Sequence, residues 1–239
     1  MIFSSMLFLV YFLPLVLGVY YVIHPKLKNA VLLIFSLVFY AWGEPVYIGL
    51  MACSILFNYV CGLLVKKRKL VLAFSVIGNL AGLFYFKYTD FFINTANDLF
   101  GTSMEVLNLA LPVGISFYTF QAMSYVIDVY RGDVKPQKNI ISFGTYIALF
   151  PQLIAGPIVR YRTIDEQLSE RTVTAQKVAR GIAVFVIGLG KKVLIANNVG
   201  ALWTDIEAMG FVVGSPLAWL GIIAYTLQIY FDFSGYSLM

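Results

Sequence analysis

The chain has 239 residues, 60% of them hydrophobic and 12% charged, with a formal net charge of +5 and a mean hydropathy of +0.84. A soluble globular domain sits near 45–50% apolar and about 25% charged. Composition therefore excludes a soluble fold, and the long apolar runs described next point to an all-α polytopic membrane protein, since lipid tolerates only backbone that satisfies its own hydrogen bonds.

The first uncharged run, Ile2 to Ile23, lacks a basic n-region and a small-residue cleavage site and exceeds a signal-peptide core in length. It reads as a retained first helix with Pro14 as a kink, closed by His24-Pro25-Lys26-Leu27-Lys28. From Ala30 to Val65 the single charge is Glu44. Because roughly 20 residues cross a bilayer, Gly43-Glu44-Pro45 divides this stretch into spans at 30–43 and 46–65. Cys53 and Cys61 fall in the latter and read as packing residues without a disulfide framework. After Lys66-Lys67-Arg68-Lys69, a span runs from Leu70 to Phe86, with Gly78 and Gly82 at the GxxxG spacing that permits close helix approach. Between 88 and 105, Phe92, Ala96, Leu99 and Phe100 recur at helical spacing with Asp90, Asn94, Asn97 and Asp98 between them, the pattern of an interfacial amphipathic helix. A span from Val106 to Ile127 follows and ends in Asp128 and Arg131.

From Asn139 to Val159 there is again no charge, yet Pro151, Gln152, Gly156 and Pro157 crowd its second half. A proline inside a helix removes a donor and clashes with the preceding turn, at a cost of about 3 kcal/mol. Broken backbone at membrane depth persists where protein buries it or it lines a wet cavity, so 139–159 is predicted to be a re-entrant loop. The polar segment Arg160 to Arg180 follows, with Thr163-Ile164-Asp165-Glu166 in the form of a capping box that predicts a helix from Ile164. Spans at 178–200 and 208–231 lead to Asp232-Phe233-Ser234-Gly235-Tyr236. The total is about seven spans around one re-entrant loop.

Basic residues orient the chain in the cell membrane. With the N-terminus outside and 139–159 re-entrant, Lys26, Lys28, Lys66 to Lys69, Arg131, Lys135, Lys138, Arg160, Arg162, Arg171, Lys177 and Arg180 all fall inside, as the positive-inside tendency asks. Lys87 lies outside beside Asp90, Asp98 and Glu105. A full crossing by 139–159 would put the run from Arg160 to Arg180 outside.

One histidine in the whole chain leaves little for a metal cluster or a Ser/His/Asp triad. No P-loop or dinucleotide fingerprint occurs, and nothing points to nucleic acid or a metal. His24 reads as a catalytic base or, in preference, as an interfacial residue that ends the first span beside Pro25. Lys191 and Lys192 lie about ten residues past Arg180, roughly half a bilayer core at the helical rise. They sit at membrane depth, where charges are usually functional, or snorkel to the outer interface. Asp128, Asp232, Arg131, Arg160 and Arg162 form a charged cytoplasmic vestibule for an anionic donor or are ordinary topology signals.

Several motifs carry a resemblance. Met1 to Ser5, Phe39-Tyr40-Ala41-Trp42-Gly43, Leu111-Pro112-Val113-Gly114-Ile115-Ser116-Phe117-Tyr118, Gln121, Pro151 to Tyr161, and Tyr230-Phe231-Asp232-Phe233-Ser234-Gly235-Tyr236-Ser237 occur in that order. Over nearly the whole chain they resemble the membrane-bound O-acyltransferase family, most of all its bacterial alginate-acetylating members. The resemblance implies that residues 1–239 are the N-terminal part of a single acyltransferase domain, a helical bundle around a tunnel. It implies O-acetyl transfer from a cytoplasmic acyl donor, expected to be acyl-CoA, toward a hydroxyl of an extracellular polysaccharide, with extracytoplasmic acetylation partner proteins and no bound cofactor. The substrate or tunnel candidates are Gln121, Gln152, Pro157, Arg160, Tyr161, Lys191, Lys192, Asp232, Ser234 and Tyr236.

Two departures stand out. Leu238 replaces the acidic residue the family usually carries after Gly-Tyr-Ser. No position matches the family's catalytic histidine, whose chemistry would be general-base activation of the acceptor hydroxyl, and His24 is not that residue. No catalytic residue is therefore assigned, and the chain is expected to be truncated before that histidine and inactive alone. Alternatives from other classes are a non-catalytic membrane scaffold fragment and a small multi-pass transporter. A transporter would also use broken helices but would be expected to show an internal repeat, which the sequence lacks.

Overall fold

Apolar runs interrupted by Gly and Pro become helices joined at those residues, and the computed structural model follows that rule. It describes residues 3–153, 159–169, 171–210 and 214–239, and no strand occurs among them. The chain divides into two compact units. The first comprises principally Leu13–Ile154 and Ile158–Arg171, and the second principally Ile2–Phe12 and Thr172–Met239.

The first unit holds α1 (Leu13–Val22), α2 (Lys28–Gly43), α3 (Ile48–Leu64), α4 (Lys69–Phe100), α5 (Ile115–Arg131), α6 (Ile140–Ala148), the single turn α7 (Phe150–Leu153) and α8 (Tyr161–Ser169). Its core is built on Met51, Val65, Tyr118, Tyr125, Phe143, Tyr146, Ile147 and Tyr161, all buried. The α3–α4 contact carries a polar lock. The Asn58 and Asn79 side-chain amides exchange hydrogen bonds of 3.0 and 2.8 Å, and each also donates to the carbonyl four residues before it, on Ser54 and Ser75. The second unit holds a π-wound turn (Leu7–Phe12), α9 (Ala175–Gly190), a second π-wound turn (Lys191–Ala196), α10 (Asn197–Ala208) and α11 (Ser215–Leu238).

This is an all-α membrane protein. Among the described residues three helical segments are long and apolar enough to cross a bilayer, Pro25–Gly43, Lys69–Phe100 and Ser215–Leu238, with shorter apolar helices at Leu7–Val22 and Ile48–Leu64. The remaining expected spans fall on shorter or interrupted helices. Pro14 falls where π-wound Leu7–Phe12 gives way to α1, a local winding that suits a missing proline donor.

Several boundaries differ from the sequence reading. No separate amphipathic helix covers 88–105, because α4 runs unbroken to Phe100 and ends at Gly101 with φ +62°. The polar residues there tie down the following segment. Asp90 accepts from the Leu107 amide at 2.9 Å, and the Asn97 side chain bonds the backbone of Met104 in both directions. The span expected from Val106 begins only at Ile115. Gly114 precedes it at φ +77°, where an added Cβ would stand 2.7 Å from the Leu153 carbonyl oxygen. That position therefore needs glycine twice over, for its backbone and for its neighbour. The helix expected from Ile164 starts at Tyr161, whose hydroxyl reaches Asp165 one turn on. The last span, expected at 208–231, begins at Ser215 with Pro216 in its first turn and continues through Asp232 to Leu238. Of the GxxxG pair, Gly78 packs under the Phe57 ring, while Gly82 faces open space. Cys53 and Cys61 are both free.

Candidate functional site

Two polar constellations, one in each unit, contain most of the residues singled out from sequence: Gln121, Gln152 and Tyr161 in the first, and Lys191, Lys192, Asp232 and Ser234 in the second. The first is built around the broken helix. Asn139 caps α6, its side chain accepting from the Ile141 amide at 2.9 Å. The helix ends after nine residues at Ala148, roughly 14 Å of rise and too short to cross a 30 Å core. At the break, the Phe150 amide turns to Ser36 Oγ at 3.2 Å, and Pro151 has no amide hydrogen. Carbonyls of the last turn thus lose their helical donors. Gln121 and Gln152 fill the gap, both donating side-chain amides to the Tyr146 carbonyl. The structure therefore brings these two candidates onto one atom, where they hold the broken backbone.

Beyond the break, the chain returns to where it entered. Tyr146 Oη donates to the Val159 carbonyl at 3.0 Å. Tyr161 Oη accepts from Gln137 Nε2 at 2.7 Å and donates to Asp165 Oδ1 at 2.7 Å. Gln137 also accepts from the Asn139 amide at 2.9 Å, so the two flanks of the 139–159 stretch meet through one side chain. That is the geometry a re-entrant loop requires. Tyr161 is buried among the rings of Tyr125 and Tyr146, at centroid separations of 5.0 and 5.1 Å. Burial first, and then its hydrogen bond to Asp165, push the phenol above the ordinary tyrosine range, so it stays a donor. Arg160 is exposed. Pro157 and the rest of 154–158 lie outside the described residues.

Sequence reasoning missed Asn29. Its side chain donates to Ser142 Oγ at 3.0 Å and to the Leu168 carbonyl at 3.1 Å and accepts from Arg171, tying α2, α6 and α8 together. Its signal was a lone amide at the mouth of an apolar run. A cavity of about 190 Å³ nearby within the same unit is lined by Asn79, Gly82, Tyr118 and Thr119 among others. The Tyr118 hydroxyl is buried with no hydrogen-bond partner among the described residues.

The second constellation lies where α9 and the Lys191–Ala196 turn cross α11. An added Cβ on Gly188 would stand 2.7 Å from the Gly235 carbonyl oxygen, and one on Gly235 would stand 2.9 Å from that of Gly188. The helices thus touch backbone to backbone, as small residues allow. This close crossing sets Lys192 in an ion pair with Asp232, and Lys191 Nζ donates to Ser234 Oγ at 2.7 Å. Both lysines point to the neighbouring α11 and are half-buried. Asp232 is an interior residue of α11 and not its end. Tyr236 packs edge-on against Phe3 at 5.4 Å. Lys191 has no carboxylate partner among the described residues. His24 is an exposed capping residue whose ring Nδ1 accepts from the Lys26 amide at 3.3 Å. No group of three or more His, Cys, Asp or Glu residues poised to hold a metal occurs among the described residues.

Comparison with known proteins gives relatives over the full chain. It is 42% identical to the probable alginate O-acetylase of Azotobacter vinelandii, matching 100% of this chain and 50% of the relative. It is 44% identical to the probable alginate O-acetylase of Pseudomonas aeruginosa, where all of this chain matches 48% of the relative. A peptidoglycan O-acetyltransferase of Helicobacter pylori is 32% identical, again over all of this chain and 53% of the relative. The chain spans about half the length of the curated relatives it matches. No family model matches it. These relatives bear out the resemblance to membrane-bound O-acyltransferases drawn from the motifs.

Proposed function

We propose that the chain is part of a membrane O-acyltransferase that moves an acetyl group from cytoplasmic acetyl-CoA toward a hydroxyl on an extracellular polysaccharide, with extracytoplasmic partner proteins. The observation that carries this reading is the full-length similarity to O-acetylases of alginate and peptidoglycan. The Lys191–Ser234 and Lys192–Asp232 contacts add to it, because cations held within apolar helices are costly unless used. In such a transfer the acceptor oxygen attacks the thioester carbonyl, a base takes its proton, and coenzyme A leaves as the thiol after reprotonation. Lys191, with donors to spare, is suited to meet the carbonyl oxygen or a donor phosphate. The loop around Gln121, Gln152 and Tyr161 would form a rigid wall of the tunnel. In this reading the base is a group other than His24, whose Nδ1 is engaged as a cap at an exposed helix end.

The 239-residue chain given labelled acetyl-CoA and a polysaccharide acceptor is expected to show no transfer. A version extended to the relatives' length should show it, and His24→Ala there should leave the rate nearly unchanged. Turnover by the 239-residue chain that His24→Ala abolishes would overturn this assignment.

The N-terminus is placed outside on the distribution of lysine and arginine. Lys69 and Asp98 stand near opposite ends of α4 and are both exposed. In a background free of Cys53 and Cys61, Asp98→Cys should react with an impermeant thiol reagent on intact cells and Lys69→Cys should not. The reverse pattern would invert the orientation.

A further inference from the structure

A pocket of about 620 Å³ opens where α3 and α5 end, in the first unit, beside the Gln137 junction that joins the flanks of the broken helix. Its lining includes Lys66, Lys67, Arg131, Lys135 and Lys138 over an apolar floor formed by Leu63, Val129 and Val134. All five cationic side chains belong to exposed residues, and none has a carboxylate within ion-pair distance among the described residues. Asp133 lies in the same loop but does not line the pocket. Helix C-termini carry partial negative charge, which suits lysine and arginine there. The backbone offers an anion little at this point, so recognition would fall to the side chains.

The pocket is held in shape before any ligand arrives. Tyr59 Oη on α3 donates to the Lys138 carbonyl at 2.6 Å, and Tyr125 Oη on α5 accepts from the Gln137 amide at 2.8 Å. The basic loop is thereby pinned to both helices. Lys67 also sits at φ +56°, a left-handed conformation that costs a non-glycine residue about 1–2 kcal/mol. Glycine or asparagine would hold that turn more cheaply, so a lysine there fits a need for its side chain.

We propose that this pocket binds the phosphate of an anionic phospholipid headgroup. Five cations without counter-ions repel one another, and a phosphate relieves that repulsion while accepting several charge-assisted bonds. A lipid is favoured over a soluble phosphate by the apolar surroundings. Leu63, in the floor, adjoins Leu64, which lines an apolar groove between α3 and α4 together with Leu56, Val60, Val71 and Phe74. That groove gives an acyl chain a place beside the headgroup, at the level where membrane helices end.

The test uses the protein reconstituted in phosphatidylcholine nanodiscs with roughly one-fifth phosphatidylglycerol, extracted into mild detergent and weighed intact by native mass spectrometry. Retained phosphatidylglycerol is expected in the wild type. It should fall by about tenfold or more in a Lys66→Gln/Lys135→Gln/Lys138→Gln variant, since basic residues near a membrane each favour anionic lipid several-fold. A Lys26→Gln/Lys69→Gln/Arg180→Gln variant loses the same charge elsewhere and should retain lipid as the wild type does. Lys67→Gly removes one charge while relieving the backbone, so a several-fold loss is readable there even if the triple variant does not fold. Absence of retained lipid in the wild type, or equal loss in both triple variants, would overturn the proposal. So would binding of free coenzyme A in pure phosphatidylcholine discs that the first triple variant abolishes while lipid retention stays unchanged.

Discussion

The Asn58–Asn79 lock of the first unit and the Lys192–Asp232 pair of the second both place polar groups inside apolar helices, and they differ in what is left over. In the lock, each side-chain amide spends both N–H donors, one on its partner and one on its own helix, and each oxygen accepts. No side-chain donor remains for a ligand. In the second unit Lys192 has one described partner for its three donors, and Lys191 likewise has one. Their side chains are also not sealed, with Lys192 at 18% and Asp232 at 28% exposure. A closed polar network fixes helix register, whereas an open one keeps bonding capacity for chemistry. The lock is architecture, whereas in the function proposed above the lysine cluster is where a substrate would be met.

Removing one side of the charged pair should break this comparison most visibly. Asp232→Ala leaves Lys192 unpaired among apolar helices and should cost on the order of 3 kcal/mol, read as a fall in the unfolding midpoint in detergent. The Lys192→Ala/Asp232→Ala double variant should recover part of that loss while transfer by an extended, active version stays absent. Full recovery of transfer in the double variant would make the pair structural after all.

A smaller effect is expected at the crossing that sets the pair. Gly188→Val puts carbon against the Gly235 carbonyl, which is backbone and cannot swing aside, so about 1–3 kcal/mol of overpacking should follow. Crosslinking of cysteines across α9 and α11 would report whether the helices separate. Unchanged crosslinking and stability would show that the close approach is dispensable.

The least costly change is at the lock. Asn58→Leu leaves Asn79 with an unmet donor and acceptor and should cost roughly 1 kcal/mol, because interhelical hydrogen bonds in membranes are modest. Asn58→Leu/Asn79→Leu should be nearly neutral in stability and in transfer. A loss of transfer without a loss of stability would move the lock from architecture to function.

Apolar periodicity and punctuation made the helices legible, because burial in lipid leaves little choice of secondary structure. The break at Pro151 was readable for the same reason, since proline chemistry is local. What stayed hidden was where polar side chains would find partners. Asp90 and Asn97 looked like one face of an interfacial helix, yet they bond the backbone that follows them. Spacing says which residues share a face but not which carbonyls lie opposite it. Gln121 and Gln152 read from the motifs as substrate candidates, and their convergence on the Tyr146 carbonyl depends on where α6 ends, which spacing does not give. Lys191 and Lys192 stood out as charges in an apolar run, but pairing with Asp232 and Ser234 depends on a glycine crossing far along the chain.

The length of α4 has a consequence of its own. Its 32 residues extend roughly 48 Å at the helical rise, against a hydrocarbon slab about 30 Å thick. Tilting alone would need about 50°, steeper than membrane helices usually adopt. The last turns must therefore leave the hydrocarbon, carrying Asp90, Asn97 and the strap they fasten into the headgroup layer and toward the water beyond it. If the N-terminus is outside, that end forms a post on the far side of the membrane. A polymer or a soluble partner approaching there would touch this post before it reached the lipid surface.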